Sequence, residues 1–568
     1  MRFVYLLLPC LCFCSSSVAL EDKATTKASI TYEEARQHEI KPHRREIPLE
    51  GVDEGFNQLH LTLIVSPNGE VIDARADGDK NLLKLWPQVE SEVRSWKFTP
   101  FEESGKAGTV EVEEYLDLRP PEVFPKTHIK PPAIKADSDI SITLARTGCY
   151  GTCPSYKAVI GNAGIEFNGG RYVVAAGKHT ASVDRSALRE LAKKFIKADF
   201  YSMKEEYRAG VTDCPTYLVA IRIDGREKKI EDYVGSWVGM PQIITELEDD
   251  VDELAETGRW IRGEDGLVAA LQAEKYDFKT FAAQAMLKAV SEKGDVETVR
   301  DLLEGGVPLK PFPAPKAKSE YERAPYDRVG WLNAASRHPE VLQILIDSGA
   351  SKEDQSDKDL ALVSAAQAGN VKAAQLLLAY GADPNADLSK DVMTESHAGM
   401  GWSHQGAGSL LYFAAESGNP EMVKLFLSFH PNVNQPGKEG KTALFAAGES
   451  RGVENEEDRA ECVRLLVASG ANIDAQDKDG NTPLHGTYLT AVEKELLKLG
   501  ADVNARNKDG ETPIFTNVDD DLVPLLEEHA ADLSIRNNKG QSVLEAAEQH
   551  GPRRVELVKA AIAKRNAK

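Results

Sequence analysis

At 568 residues the chain exceeds what one compact core can bury, and its length predicts roughly three to five domains. Its 42% hydrophobic and 28% charged residues are ordinary for a globular protein. The net charge of −22 argues against a protein that tracks nucleic-acid phosphates, because a polyanion would be repelled on average.

Arg2 gives a short positive start, Phe3 to Phe13 is almost wholly apolar, and Ser17-Val18-Ala19 has the small-x-small pattern of a cleavage site. That layout predicts a secretory signal peptide over residues 1–19, cut after Ala19, because the run is short of the ~20 residues of a spanning helix. Cys10, Cys12 and Cys14 fall in this segment. No later stretch is apolar enough to span a membrane, so a periplasmic or secreted chain is expected. Residues 20–46 are polar and aperiodic and predict a linker.

Residues 47–118 predict a small α+β domain. Leu61 to Val65 reads as a strand, Pro67-Asn68-Gly69 as a hairpin turn, and Glu70 to Ala74 as the return strand. Leu82 to Trp96 has helical spacing, and Thr109 to Leu118 alternates as a closing strand with Val110, Val112 and Tyr115 at inward or edge positions. With Trp96-Lys97-Phe98-Thr99-Pro100 and Gly105-Lys106 after the helix, this stretch resembles the C-terminal domain of TonB. The resemblance implies a protein-docking fold. It does not imply energy transduction, since the membrane helix and long Pro-rich span of the TonB transducer are missing. A Pro-rich connector, 119–137, follows; it should be extended and semi-rigid.

A second α+β domain is predicted over residues 138–260. Its strands are Ile140 to Leu144, Tyr156 to Ile160, Ile165 to Phe167, Tyr172 to Ala176, Leu218 to Ile223 and Lys228 to Tyr233; Leu188, Leu191, Phe195 and Ile196 mark a helix. The run Cys149-Tyr150-Gly151-Thr152-Cys153-Pro154, with Asp213-Cys214-Pro215 downstream, resembles an uncharacterised bacterial domain family that brings no established activity. Cys149, Cys153 and Cys214 are disulfide candidates, and their spacing does not choose among the pairings. A Cys-x-x-Cys redox pair needs two intervening residues at a helix start, whereas three separate Cys149 from Cys153. Zinc lacks a fourth ligand nearby. Glu246 to Asp250 reads as a solvated helix face.

From residue 281 the chain repeats. Gly480, Gly510 and Gly540 are spaced 30 apart and open Gly-Asn-Thr-Pro-Leu-His, Gly-Glu-Thr-Pro-Ile-Phe and Gly-Gln-Ser-Val-Leu-Glu; Gly440 opens a fourth copy. Between them stand Gly381-Ala382-Asp383-Pro384-Asn385, Gly470-Ala471-Asn472-Ile473-Asp474 and Gly500-Ala501-Asp502-Val503-Asn504. Period and phrases resemble ankyrin repeats. About eight units are expected over 281–568, starting near 281, 328, 358, 408, 440, 480, 510 and 540. Each Gly should close a helix in the left-handed conformation, and each Thr-Pro should open the next. His430 and Ala530 replace two of those glycines, which puts the local turn in question. Insertions interrupt the array at Pro308 to Asp327, Ala386 to Ala407 and Arg451 to Asp458; the second holds His397, Trp402 and His404. Cys462 aligns with Met422 at a stacking position, which predicts a buried thiol. His485 should bond backbone within and between repeats.

The fold class expected is therefore multidomain: two small α+β domains followed by an all-α ankyrin-repeat solenoid. No phosphate loop, nucleophile elbow or metalloprotease pair is present, so a non-catalytic scaffold without cofactor or metal is expected, gripping a protein partner. The hairpin tips Asp477, Lys478, Asp479, Arg506, Asn507, Lys508, Asp509, Asn537, Asn538 and Lys539, with Trp402, are the candidate contacts. Two other readings stand beside it: a thiol-based enzyme or redox protein using Cys149 and Cys153, and an envelope component that docks through the TonB-like stretch.

Overall fold

The computed structural model describes residues 29–30, 46–103, 106–264, 266–312, 330–352, 354–386, 392–394, 402–404, 408–437, 439–449, 456–487, 489–516, 522–549 and 551–566. The signal peptide read from the sequence, with Cys10, Cys12 and Cys14, lies outside them, as do most of the linker and most of the three insertions. The chain forms two compact units. The first is Met1–Phe124 with Tyr207–Gly210 and Val234–Gln242, and the second is the remainder.

In the first unit the strands are β1 (Ser29–Ile30), β2 (Glu46–Pro48), β3 (Gln58–Val65), β4 (Val71–Asp77), the short pair β5 (Glu102–Glu103) and β6 (Lys106–Ala107), and β7 (Val110–Arg119). The main sheet runs β1-β7-β3-β4, with β2 also on β7. β3 is antiparallel to both β4 and β7, whereas β1 and β2 lie parallel to β7. Thus one piece of the stretch read as a linker, β1, joins the sheet, and β2 starts on its last residue, Glu46; pairing of this kind asks only for backbone groups.

One sheet face is fully apolar in β3, with Leu59, Leu61, Leu63 and Val65 buried against Val89, Val93, Trp96 and Phe98. The alternation in β7 turns Val110, Val112, Leu116 and Leu118 inward. Tyr115 faces the other way, with its ring 5.2 Å from that of His60. The helix expected over Leu82 to Trp96 is broken into Lys80–Leu83 and Trp86–Arg94. Pro87 has no amide to give to the Leu83 carbonyl, so a continuous helix cannot form there. Gly69 has a φ of +79°, and a Cβ at that position would fall 1.8 Å from the Phe98 carbonyl oxygen. The Asn68-Gly69 turn therefore needs glycine for its conformation and for the close approach of Phe98, whose amide donates to the Gly69 carbonyl at 2.9 Å.

A second sheet is built from β8 (Ile140–Arg146), β9 (Tyr156–Gly161), β10 (Gly164–Gly169), β11 (Gly177–Ala181), β12 (Glu206–Arg208), β13 (Tyr217–Ile223) and β14 (Arg226–Tyr233). The sheet order is β11-β10-β9-β8-β13-β14-β12. Ile140, Ile142, Leu144, Ala158, Ile160, Phe167, Val219, Ile221 and Ile223 are all fully buried, as is Phe195 of helix Arg185–Lys197. Tyr172 to Ala176, expected as a strand, is a turn instead. Tyr172 takes a φ of +57°, and the Val174 and Ala175 amides donate to the carbonyls of Ile261 and Trp260 rather than to a sheet neighbour.

After residue 281 the described residues contain eight helix pairs: 281–293 with 296–304, 331–335 with 339–347, 355–367 with 371–379, 410–416 with 420–427, 443–449 with 456–468, 483–486 with 490–498, 513–516 with 522–528, and 543–547 with 552–566. Each first helix touches the first helix of the next pair, and each second helix touches the next second helix. The apolar positions explain the stacking, since Leu302, Leu342, Leu345, Leu377, Val423, Phe426, Val463 and Leu466 are all buried. Gly381, Gly470 and Gly500 have positive φ after their helices, and His430 and Ala530 adopt the same left-handed conformation, at +52° and +67°. The turn geometry survives both replacements. The Ala386 insertion carries a two-stranded ribbon, Val392–Thr394 against Trp402–His404; its side chains and His397 lie outside the described residues.

Candidate functional site: the repeat tips and the cysteine loop

Three of the turns between helix pairs are each held by one side chain. The Asp477 carboxylate accepts from the Asp479 and Asn481 amides at 2.9 and 2.8 Å. Asn507 does the same for Asp509 and Glu511, and Asn537 for Lys539 and Gln541. Neighbouring turns are then joined by backbone: Lys478 N–H donates to the Glu439 carbonyl, Lys508 to Asp479 and Asn538 to Asp509, at 2.9, 2.9 and 2.8 Å. Asp477 and Asn507 are half-buried and Asn537 is buried, so these three hold the turns and offer a partner little. Lys478, Asp479, Arg506, Lys508, Asp509, Asn538 and Lys539 are exposed and stand in a row along the joined turns.

His485 sits at the centre of the Thr-Pro-Leu-His start. Its Nδ1 lies 3.1 Å from the Thr482 amide nitrogen and 2.9 Å from the Thr482 hydroxyl, and its Nε2 reaches the Glu511 carbonyl of the next pair at 3.1 Å. Burial first of all pushes its pKa down, which favours the neutral ring that this pattern needs, with one nitrogen accepting and the other donating. Sequence reasoning missed a second stitch. In three successive phrases the last residue bonds forward: Asn434 Oδ1 accepts from the Asn472 amide, Asp474 from Asp502 and Asn504 from Asp532, at 2.7, 2.9 and 2.7 Å. The signal was the recurring Asn or Asp five residues into the phrase.

Cys149 and Cys153 form a disulfide, with their Cα atoms 5.5 Å apart, and Cys214 is not part of it. Tyr150, inside the bridged loop, is 79% exposed. Cys462 is fully buried like Met422, and burial pushes its thiol up to about 12. Among the described residues no group of three or more His, Cys, Asp or Glu is placed to hold a metal.

In the acidic run Glu246 and Asp249 are exposed, as expected, and the sequence misled at Glu248. In helix Gln242–Leu254 the spacing of Ile244, Leu247, Glu248 and Val251 puts Glu248 on the buried stripe. One carboxylate oxygen of Glu248 is buried without a hydrogen-bond partner. Asp252, one turn on, accepts from the Tyr156 hydroxyl and the Thr257 hydroxyl, each at 2.8 Å. Burial, then the charges of Asp232, Asp249 and Asp252, hold the Glu248 carboxyl well above the ordinary 4.5. A carboxyl raised on folding binds its proton more tightly in the native state. Stability is then fully present below about pH 4.5 and falls as pH rises from there toward the native value. Glu248→Gln carries no such proton. Relative to the parent it should gain stability between pH 4 and pH 7.5, by about 1–3 kcal/mol at the upper end, the usual cost of an unpartnered buried acceptor. Urea denaturation at the two pH values checks this, and a pH-independent difference would contradict it.

Residues 140–255 match a domain of unknown function, DUF6438. Residues 411–488 match the family model for ankyrin repeats in three copies, and 357–387 and 479–508 match the single ankyrin repeat. No curated protein matches the chain. Among the described residues no helix is long and apolar enough to cross a membrane.

Proposed function

We propose that the ankyrin repeats of residues 357–508, continued by the helix pairs on either side, form an unbroken solenoid that binds a protein partner in a non-catalytic scaffold. The observation that carries this reading is the row of exposed charged tips, Lys478-Asp479, Lys508-Asp509 and Asn538-Lys539, held in fixed spacing by backbone bonds from one turn to the next. A rigid, periodic, solvated edge loses little entropy when a partner orders it. The apolar start and small-residue cleavage pattern of residues 1–19 support an exported chain. The strand–turn–strand–helix–strand order of residues 58–119 supports the resemblance to the TonB C-terminal domain, and with it a second docking module.

The test uses the full chain as bait in an envelope extract, beside a variant with Lys478→Glu, Asp479→Lys, Lys508→Glu and Asp509→Lys. The variant should melt within a degree or two of the parent and lose the partner at least tenfold in affinity. Equal capture by both would remove the tips from the interface.

A further inference from the structure

Helix Arg185–Lys197 carries five cations and one carboxylate in a chain whose net charge is −22. Arg185, Arg189, Lys193 and Lys197 recur at every fourth residue. Each step rises about 6 Å and turns about 40° past a full revolution, so the four span about 18 Å and sweep about 120° around the axis. Leu188, Leu191, Ala192 and Phe195 form the buried side of the helix, and the swept sector lies away from them. Arg185, Lys193 and Lys197 are exposed and Arg189 is half-buried. Lys193 pairs with Glu190 and Lys194 with Asp250, each at 2.6 Å. The two arginines are held by neutral acceptors instead. Arg185 Nε donates to the Asn162 carbonyl at 3.0 Å, and Arg189 donates to the Ala136 carbonyl. A backbone carbonyl fixes a guanidinium without cancelling its charge.

The connector ahead of β8 extends the patch. Residues 126–136 hold Lys126, Lys130 and Lys135 and no carboxylate, and all three lysines are exposed. This stretch lies along the helix. Ala136 sits at Arg189, His128 meets the Asp199 carboxylate just past the helix end, and the Ile129 N–H donates to the Ser202 hydroxyl at 2.7 Å. The Lys130 carbonyl accepts from the Arg226 guanidinium at 2.8 Å. These bonds to its backbone pin the connector down and leave its lysine side chains in solvent. Beside them the apolar Ile129 side chain is 45% exposed.

We propose that helix 185–197 and connector 126–136 form a peripheral docking surface for an anionic lipid bilayer. A single small anion asks for cations that converge in a cleft. These cations spread over a convex helix and suit a flat array of phosphate headgroups. A bilayer also has an apolar layer beneath its headgroups, which accommodates the exposed Ile129; a soluble polyanion has none. Each cation held at an anionic surface raises partitioning about fivefold, and salt weakens the gain as the Debye length shrinks. The surface would hold the scaffold at a membrane face. It adds to the repeat-tip reading without depending on it.

The experiment floats the full chain with vesicles of equal parts phosphatidylglycerol and phosphatidylcholine, and separately with vesicles of phosphatidylcholine alone. Residues 3–13 are apolar enough to enter either kind, so the readout is the excess on the anionic vesicles. That excess should be at least tenfold at low salt and should vanish at about 0.5 M salt, where the Debye length is roughly 4 Å. Lys130→Gln, Lys193→Gln and Lys197→Gln together should cut it at least tenfold with an unchanged melting temperature. Lys478→Gln, Lys508→Gln and Lys539→Gln remove the same charge from the repeat tips and should leave it within twofold of the parent. Ile129→Ser should weaken vesicle binding several-fold and leave retention on immobilised heparin as it was. Equal binding to the two kinds of vesicle, or equal losses in the two triple variants, would overturn the proposal. So would a chain held by heparin but not by anionic vesicles, or an Ile129→Ser chain that floats as the parent does.

Discussion

Trp260→Ala is expected to destabilise the second unit by about 3–5 kcal/mol, the range for emptying a large buried aromatic site. The indole is fully buried, with Phe167 stacked at 6.0 Å and His179 at 4.8 Å between ring centres. Its backbone matters as much, because the carbonyls of Trp260 and Ile261 receive the amides of Ala175 and Val174 and so fix the turn before β11. His179 carries the contact onward. Its Nδ1 lies 2.7 Å from Glu274, whose other oxygen accepts the Thr180 amide at 2.8 Å. Glu274 stands just before the first repeat helix, Phe281–Lys293. One aromatic stack therefore ties the second sheet to the chain that enters the repeats. In hydrogen-exchange mass spectrometry the variant should lose protection in β10, β11 and residues 267–293, while residues 443–547 keep theirs. Unaltered exchange in 267–293 would show that the stack does not couple the two.

Legibility followed periodicity. Strands with strict alternation, such as Ile140 to Leu144, and helices with clear stripes, such as Leu188 to Ile196, were readable because burial on one face dictates the spacing. The repeats were readable because several turns reuse the same Gly, Thr-Pro and Asn positions for the same backbone reasons. What failed had little local signal, or one that composition masked. Tyr172 to Ala176 looks like a strand, yet it bonds a helix some ninety residues away in sequence. A segment end placed at residue 260 cuts helix Thr257–Arg262, because nothing near Trp260 announces that it covers a sheet. Glu248 looked solvated because the run around it is acidic, although helical spacing already placed it beside Leu247. The tip residues were legible as turn formers. Their division into turn-holders and exposed positions was not, because it depends on which amide each side chain meets. Cys149, Cys153 and Cys214 were visible as candidates, but the pairing of Cys149 with Cys153 is fixed by the loop that brings them together and not by the spacing of the three.

Asp357→Ala should cost about 2–4 kcal/mol, since it orphans two amides at about 1–3 kcal/mol each. The helix Trp331–Ala335 has no Thr-Pro start, and its cap position is Gly330, which brings no side-chain acceptor. Asp357, from the following pair, supplies the cap instead. Its carboxylate accepts from the Leu332 and Asn333 amides at 2.9 and 3.1 Å and from the Ser351 hydroxyl. Gly330 is glycine for this reason, because a Cβ there would lie 1.7 Å from the Asp357 carboxylate oxygen. The bond does between pairs two and three what His485 does between its own pair and the next. In a stack where each unit touches only its neighbours, losing one such link should lower the coupling between the two sides as well as the total stability. The expected result is a broadened or two-step urea transition, with residues 281–347 opening before 355–547. Asp357→Asn, which keeps one acceptor oxygen, should recover part of the loss. A single sharp transition at an unchanged midpoint would mean that the stacked apolar faces hold this junction unaided. The Asp357 cap would then be incidental to the continuity on which a periodic binding edge relies.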